Sequence, residues 1–183
     1  ELLNIAMSLS DQMIDEIMAQ RELLAAERGE LTPYPKTIYA KKIISDIKLQ
    51  IEHHPVTEGK EIHIDAADED LMLITDPVLL RRVLLNMTKN AVEASKPGQA
   101  ISISYSLDEE NKQVTFSVHN EGEMTPDVKA QVFQRSFSTK DTSRGVGTYS
   151  IKLLGEKYLK GTVSFSSDAE NGTTFAIKLP VAL

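Results

Sequence analysis

Cysteine is missing from the sequence altogether. Disulfides, thiolate-held zinc and thiol catalysis are therefore excluded. The absence also fits a reducing compartment. Tryptophan is missing too, and aromatic residues amount to only 5%. Apolar runs are short, and none approaches the roughly 18 residues that a membrane-spanning helix needs. No signal-peptide pattern opens the sequence. Basic residues are the minority, 20 against 27 acidic ones, for a net charge of −7. That balance argues against a protein that holds nucleic acid on a basic face.

What is present is ordinary globular material. The 183 residues are 41% hydrophobic and 26% charged, enough for one core. At about 150 residues per domain, the length allows one domain with a small appendage. The first residue is Glu1 rather than Met, so a piece of a longer protein is expected.

Residues 1–28 lack Gly and Pro and read as one helix. Leu2, Ala6, Leu9, Met13, Ile17 and Leu24 recur in steps of three, four or seven, a seam for packing against another helix, which suits the first helix of a single globular domain as well as a dimerisation or docking helix. Gly29, Pro33 and Pro35 end it. The organisation expected is residues 1–32 as helix and linker, then a globular domain over 33–183. In that domain Ile43, Ile44, Ile47 and Ile51 mark a helix, and Glu61–Asp65 and Leu71–Ile74 mark strands. Asp76-Pro77 opens a strong helix running to about Ser95, because Asp caps well and Pro suits the first turn. Alternation at 101–105 and 114–118 reads as a hairpin. A polar, irregular stretch follows from Asn120 to Gly147. A helix from Thr148 to Leu159 and two strands flanking the Asn171-Gly172 turn signal complete the chain. The sum is an α+β fold, a two-layer sandwich of three helices over one face of one sheet.

Three segments carry candidate chemistry. On the Asp76 helix, Asn86, Asn90 and Glu93 lie about a third of a turn from the Leu80–Leu84–Met87–Ala91 stripe. Asn is a poor helix former, and its amide oxygen suits Mg²⁺. Two solvated asparagines would explain the pattern equally well. His119-Asn120-Glu121-Gly122 ends a strand, where a polar side chain can hold a ligand's amine and Gly lets the backbone pass close. An ordinary turn would look the same. Phe137-Ser138-Thr139-Lys140 and Arg144-Gly145-Val146-Gly147-Thr148 run into a helix. Free N–H groups there favour phosphate, and the pattern is neither a P-loop nor a Rossmann loop.

Taken in order, Asn-x3-Asn-Ala, Asn-x-Gly, Phe-Ser-Thr-Lys, G-x-G into a helix and Gly172-Thr173-Thr174-Phe175 resemble the ATP-binding domain of sensor histidine kinases. That domain belongs to the superfamily that includes gyrase and mismatch-repair ATPases. The resemblance spans about residues 60–180. Residues 1–28 look like the second helix of the dimerisation hairpin that precedes such domains.

The resemblance implies ATP and Mg²⁺ as cofactors. It implies Asn90 as the metal-binding asparagine, and Asn86 where ATP-hydrolysing relatives carry a general-base Glu. An amide cannot take a proton, which suits transfer to a side chain better than to water. Asn86 and Lys140 are thus the catalytic candidates. The nucleotide-binding set is Asn86, Lys89, Asn90, Asn120, Gly122, Lys140, Arg144, Gly145, Gly147, Thr148 and Thr173. Asn120 takes the place of the Asp that holds the adenine amine. Met124 stands for the second Gly of D-x-G-x-G, and Ser143 for the first Gly of the glycine box.

The expected partners are the histidine-bearing dimerisation helix of the full-length kinase, a response regulator and, through residues 1–28, a second copy. Nucleic acid is not among them. A cytoplasmic setting is expected, with any membrane anchor elsewhere in the full-length protein. None of His53, His54, His63 and His119 stands in a phosphoacceptor context. Two other readings of the same fold stay open: a regulatory ATP-binding module without transfer, and a serine kinase of the anti-sigma type.

Overall fold

The computed structural model describes residues 2–52, 54–66, 71–135 and 147–182. The chain divides into two compact units, Glu1–Thr32 and Pro33–Leu183.

The first unit is helix α1, Leu2–Arg28. Gly29 ends it in the left-handed region, at φ 76°. The Gly29 N–H donates to Ala26 O at 3.2 Å and the Glu30 N–H to Ala25 O at 2.9 Å. This paired arrangement satisfies carbonyls that the helix end would otherwise orphan. Met13, Ile14, Ile17 and Met18 are all more than half exposed.

In the second unit the elements are β1 (Lys36–Tyr39), α2 (Ala40–Glu52), β2 (Glu61–Ala66), β3 (Met72–Thr75), α3 (Pro77–Ala94), β4 (Ala100–Asp108), β5 (Gln113–Asn120), α4 (Pro126–Gln131), α5 (Gly147–Lys152), β6 (Thr162–Asp168) and β7 (Gly172–Pro180). A five-stranded sheet has the order β2-β4-β5-β7-β6. The β2–β4 pair is parallel and the others are antiparallel. One face carries Ile101, Ile103, Val114, Phe116, Val118, Phe175, Ile177 and Leu179, all buried. Helix α2 covers it with Ile43, Ile44, Ile47 and Ile51. Helix α3 adds Leu80, Val83, Leu84 and Met87, and α5 adds Ile151. The sandwich expected from the alternation is therefore observed.

Three features depart from the sequence reading. The sheet is not single: β3 leaves it to pair with β1, antiparallel, with Thr37 opposite Ile74 and Ile38 opposite Leu73. The four residues of β1 lie between Pro35 and α2, and the pairing that defines them comes from a segment more than 30 residues away in sequence. The stretch from Asn120 to Gly147 is not wholly irregular, because α4 forms within it behind Thr125 and Pro126. The last helix changes winding: after Lys152 the residues Leu153–Tyr158 form a π-helical turn, closed by the Leu159 N–H donating to Leu154 O at 3.0 Å.

The start of α3 is the best-secured end in the fold. Asp76 Oδ1 accepts from the N–H groups of Val78 and Leu79 at 2.9 and 3.0 Å. Its Oδ2 accepts from the Tyr34 N–H at 2.6 Å. The carboxylate thus caps the helix and also pins the segment leading into β1. At the other end, Lys60 Nζ donates to Val92 O at 2.8 Å, a cation where the helix dipole favours one.

Gly172 begins β7 at φ 67°. A Cβ there would collide with the carbonyl oxygen of Asn120 and lie 2.9 Å from Glu121 Cα. Both the backbone angle and the space demand glycine. Gly172→Ala is expected to lose the left-handed penalty of about 1–2 kcal/mol plus the cost of moving the Asn120–Glu121 backbone. Urea unfolding of the variant would then show a total loss above about 2 kcal/mol.

His54 supplies a pH test of the α2–β2 connection. Its Nδ1 accepts from the Val56 N–H at 3.2 Å, which requires an unprotonated Nδ1. Burial, and then the Lys89 charge, hold its pKa below the ordinary 6.5, while Glu93 pulls it upward. The unfolded chain therefore binds more protons than the folded one in the window at and below pH 6.5. The contribution is fully present above that window and is lost as the pH falls through it. Unfolding free energy should drop more between pH 7.5 and 5.5 in the parent than in His54→Gln.

Candidate nucleotide site

The site is built along one face of α3. Residues 86, 90 and 94 recur every fourth position, so they follow one ridge over about 12 Å. Each meets a different piece of the second half of the domain. Asn86 Nδ2 donates to Ser150 Oγ on α5 at 2.8 Å. Asn90 lies under Gly147, where an added Cβ would sit 3.5 Å from its Oδ1 and 3.8 Å from its Nδ2. The Ala94 carbonyl lies 3.5 Å from where a Cβ on Gly122 would be. Solvated asparagines are thereby replaced by half-buried ones set against α5.

Asn120 is the last residue of β5, paired with Thr173 of β7 and Ile101 of β4. It is 3% exposed, because alternation along β5 turns it to the helix-covered face with Val114, Phe116 and Val118. The same space explains Gly122, whose Cβ would come 3.1 Å from Asn120 Nδ2.

Without a second glycine, the loop after β5 is held by hydroxyls. The Met124 N–H donates to Ser167 Oγ at 2.8 Å. Ser167 Oγ and Thr173 Oγ1 are 2.7 Å apart, and Thr173 Oγ1 donates to Gly122 O at 2.6 Å. Thr173 has one proton, so Ser167 is the donor in the middle link. The hydroxyl of Thr173 is thus engaged with the loop carbonyl.

Further along, Phe133 packs edge-on against Phe165 and Phe175, with ring centroids 5.6 and 6.1 Å apart. Lys152 Nζ stands 5.2 Å over the Phe133 ring. Residues 136–146 follow, so Lys140, Arg144 and Gly145, with Phe137-Ser138-Thr139 and Ser143, lie outside the described residues. Gly147 and Thr148 form the first turn of α5. Lys89 is half-buried on α3, beside His54. The structure brings Asn86, Asn90, Asn120, Gly122, Gly147, Thr148 and Thr173 around α3 and the end of β5. His63 pairs with Glu61 at 3.3 Å and His119 with Thr174 at 3.1 Å, both on the outer sheet face.

Asn90 Nδ2 and Asn120 Nδ2 are fully buried and, among the described residues, have no hydrogen-bond partner. An unpartnered buried amide costs about 1–3 kcal/mol. Both are N–H donors that would pair with acceptors, and a cation could be met only by the amide oxygens of the same residues. Among the described residues no group of three acidic or histidine side chains could hold a metal. A cation here would rely on amide oxygen together with ligand oxygens.

Two residues of this arrangement went unread in the sequence, and the role of a third was read only in part. Ser150 and Ser167 carry no local signal, since Ser is common on helix and strand surfaces. Gly172 had one, the Asn-Gly turn, which concealed its close approach to Asn120.

A two-layer sandwich with an asparagine-bearing helix over a mixed sheet, and glycines set against that helix, fits a nucleotide-binding ATPase domain. Residues 75–183 match the family model described as histidine kinase-, DNA gyrase B-, and HSP90-like ATPase, and the chain belongs to that family. The heme sensor protein HssS of Staphylococcus aureus is 31% identical over 158 residues, covering 83% of this chain and 34% of HssS. The chain therefore spans about a third of the length of the curated relatives it matches. Among solved structures, the catalytic domain of histidine kinase ThkA superposes with a TM-score of 0.72 at 23% identity, covering 81% of this chain and 97% of that one. The Acinetobacter baumannii histidine kinase AdeS gives 0.72 at 17% identity over 93% of this chain and 78% of its own. Full-length ShkA, solved with AMPPNP, gives 0.72 at 20% identity over 82% of this chain and 32% of its own. At these identities the likeness is one of fold.

The family resemblance assigns Asn120 to the adenine amine, and Asn120→Ala removes the amide oxygen that would accept from it. Losing an acceptor from a buried amine costs about 1–3 kcal/mol, so ATP affinity should fall roughly ten- to hundredfold. GTP, which has an oxygen in place of that amine, should bind the parent poorly. Competition binding with both nucleotides checks this, and equal affinities would remove Asn120 from base recognition.

Proposed function

We propose that this chain is the ATP-binding catalytic part of a two-component sensor histidine kinase, using Mg²⁺-ATP and transferring the γ-phosphate to a histidine on another segment. The observation that carries this reading is the gathering of Asn86 and Asn90 on α3, Asn120 and Gly122 at the end of β5, and Gly147 at the start of α5.

In this reading Asn120 and Gly122 meet the adenine, with Thr173 holding the Gly122 loop against it. Asn90 is the metal-binding residue, and Asn86 completes the polar ridge beside it. Gly147 and Thr148 offer N–H groups at the start of α5, and Lys89, Lys140, Arg144 and Gly145 serve the phosphates. The cation supplies charge neutralisation on the phosphate oxygens. The chain's own residues bind and orient the nucleotide and exclude water. A histidine nitrogen forms the new bond to the γ-phosphorus and ADP leaves, so the work of the domain is positioning and electrostatics. Asn86 is an amide and does not take a proton from water, which favours transfer over hydrolysis.

The exposed apolar residues Met13, Ile14, Ile17 and Met18 of α1 support its reading as one helix of a dimerisation hairpin, pairing with a histidine-bearing helix and with a second copy. A response regulator would receive the phosphoryl group. No described helix is long and apolar enough to cross a membrane, and a cytoplasmic setting is proposed.

The test compares this chain with a longer one that includes the upstream helix. Both are incubated with γ-labelled ATP and Mg²⁺ and then split between acid and base. The short chain should bind ATP and label poorly; the long one should label strongly and lose the label in acid. Asn90→Ala should abolish Mg²⁺-dependent binding by calorimetry and leave the fold intact. Acid-stable labelling of the short chain would point to a serine kinase. Tight ATP binding with no labelling of the long chain would point to a regulatory module.

A further inference from the structure

We propose that Ser150 is a positioning residue that fixes the amide of Asn86, so that Asn86 presents its carbonyl oxygen, and not its nitrogen, to the phosphate end of the site. This rests on the reading of the cleft as a Mg²⁺-ATP site. The argument is one of proton counting. Ser150 Oγ lies 2.8 Å from Gly147 O and 2.8 Å from the Asn86 side chain. It has one hydrogen. A carbonyl oxygen only accepts, so that hydrogen points at Gly147 O. Oγ must then accept from Asn86, and the Asn86 atom facing it must be the nitrogen. The two ends of an amide look alike in shape, and only the surrounding donors and acceptors tell them apart. Here they do so without ambiguity, and Oδ1 is turned away from Ser150.

The setting makes the constraint firm. Ser150 is 6% exposed, so water does not offer either partner an easy substitute. Its neighbour Ile151 is fully buried, which holds the first turns of α5 in place. The bond to Gly147 O is the i to i−3 back-bond that serine makes within a helix. The chain Asn86–Ser150–Gly147 therefore joins the first asparagine of α3 to the glycine that sits over the second one, Asn90. An oxygen fixed in this way is a hard acceptor, suited to a hydrated Mg²⁺. A freely flipping amide would present a repelling N–H group part of the time.

A merely structural serine would affect stability and leave the cation dependence of binding alone. The test is therefore the ratio of ATP affinities with Mg²⁺ and with EDTA, for the parent, Ser150→Ala and Ser150→Thr. Ser150→Ala should leave the EDTA affinity within about twofold and reduce the Mg²⁺ gain by about three- to tenfold, the worth of one lost hydrogen bond. Ser150→Thr, which keeps the hydroxyl, should restore it. Without nucleotide, NMR should show the Asn86 side-chain amide protons close to the Ser150 β-protons and slow to exchange in the parent, and fast to exchange in Ser150→Ala. An unchanged Mg²⁺ gain in a folded Ser150→Ala overturns the proposal. So does an Asn86 amide in the parent that exchanges as fast as an exposed asparagine. A parent that does not bind ATP at all overturns the nucleotide reading itself.

Discussion

The apolar stripe of α3 sets the rotation of that helix about its own axis. Leu80, Val83, Leu84, Met87 and Ala91 are at most 4% exposed, and each large side chain among them contributes about 1.5–3 kcal/mol by leaving water. With that stripe on the sheet, the ridge of Asn86, Asn90 and Ala94 has one remaining direction, toward α5 and the end of β5. Asp76 secures the start of the helix and Lys60 its end. The polar ridge is costly in helix propensity, and burial of the apolar stripe offsets that cost.

The loop after β5 shows how a changed motif is accommodated. A second glycine would give backbone freedom; Met124 does not, and it has no left-handed φ. Order comes instead from Met124 N–H, Ser167, Thr173 and Gly122 O in series. Asn120 then stands at a fixed strand end, with Gly172 and Gly122 clearing the space beside it. The change from a carboxylate to an amide at residue 120 exchanges charge for a donor and an acceptor on one plane.

Much of this was legible in one dimension. The alternation of β4 and β5, the Asp76-Pro77 helix start and the apolar stripe are local patterns that act over a few residues, and they determined the sandwich. The order of the asparagine, glycine and Phe-Ser-Thr-Lys segments determined the family. Pairings between distant segments were not legible. β1 exists because β3 supplies its hydrogen bonds, and the widened turn after Lys152 sets Gly155 close against Val163 and Ile177 of the sheet.

The sequence by itself determined which residues could carry polar chemistry, because helix and strand periods sort side chains onto faces. Only the tertiary structure decided what those residues do to one another. Nothing local distinguishes Ser150 from a surface serine, or tells which way the Asn86 amide points. That orientation follows from one serine hydroxyl that gives its only proton to Gly147 O and must therefore accept from Asn86, 64 residues away in the chain. Hydrogen-bond donors and acceptors acquire direction only when packing fixes their neighbours, and that is a property of the folded chain.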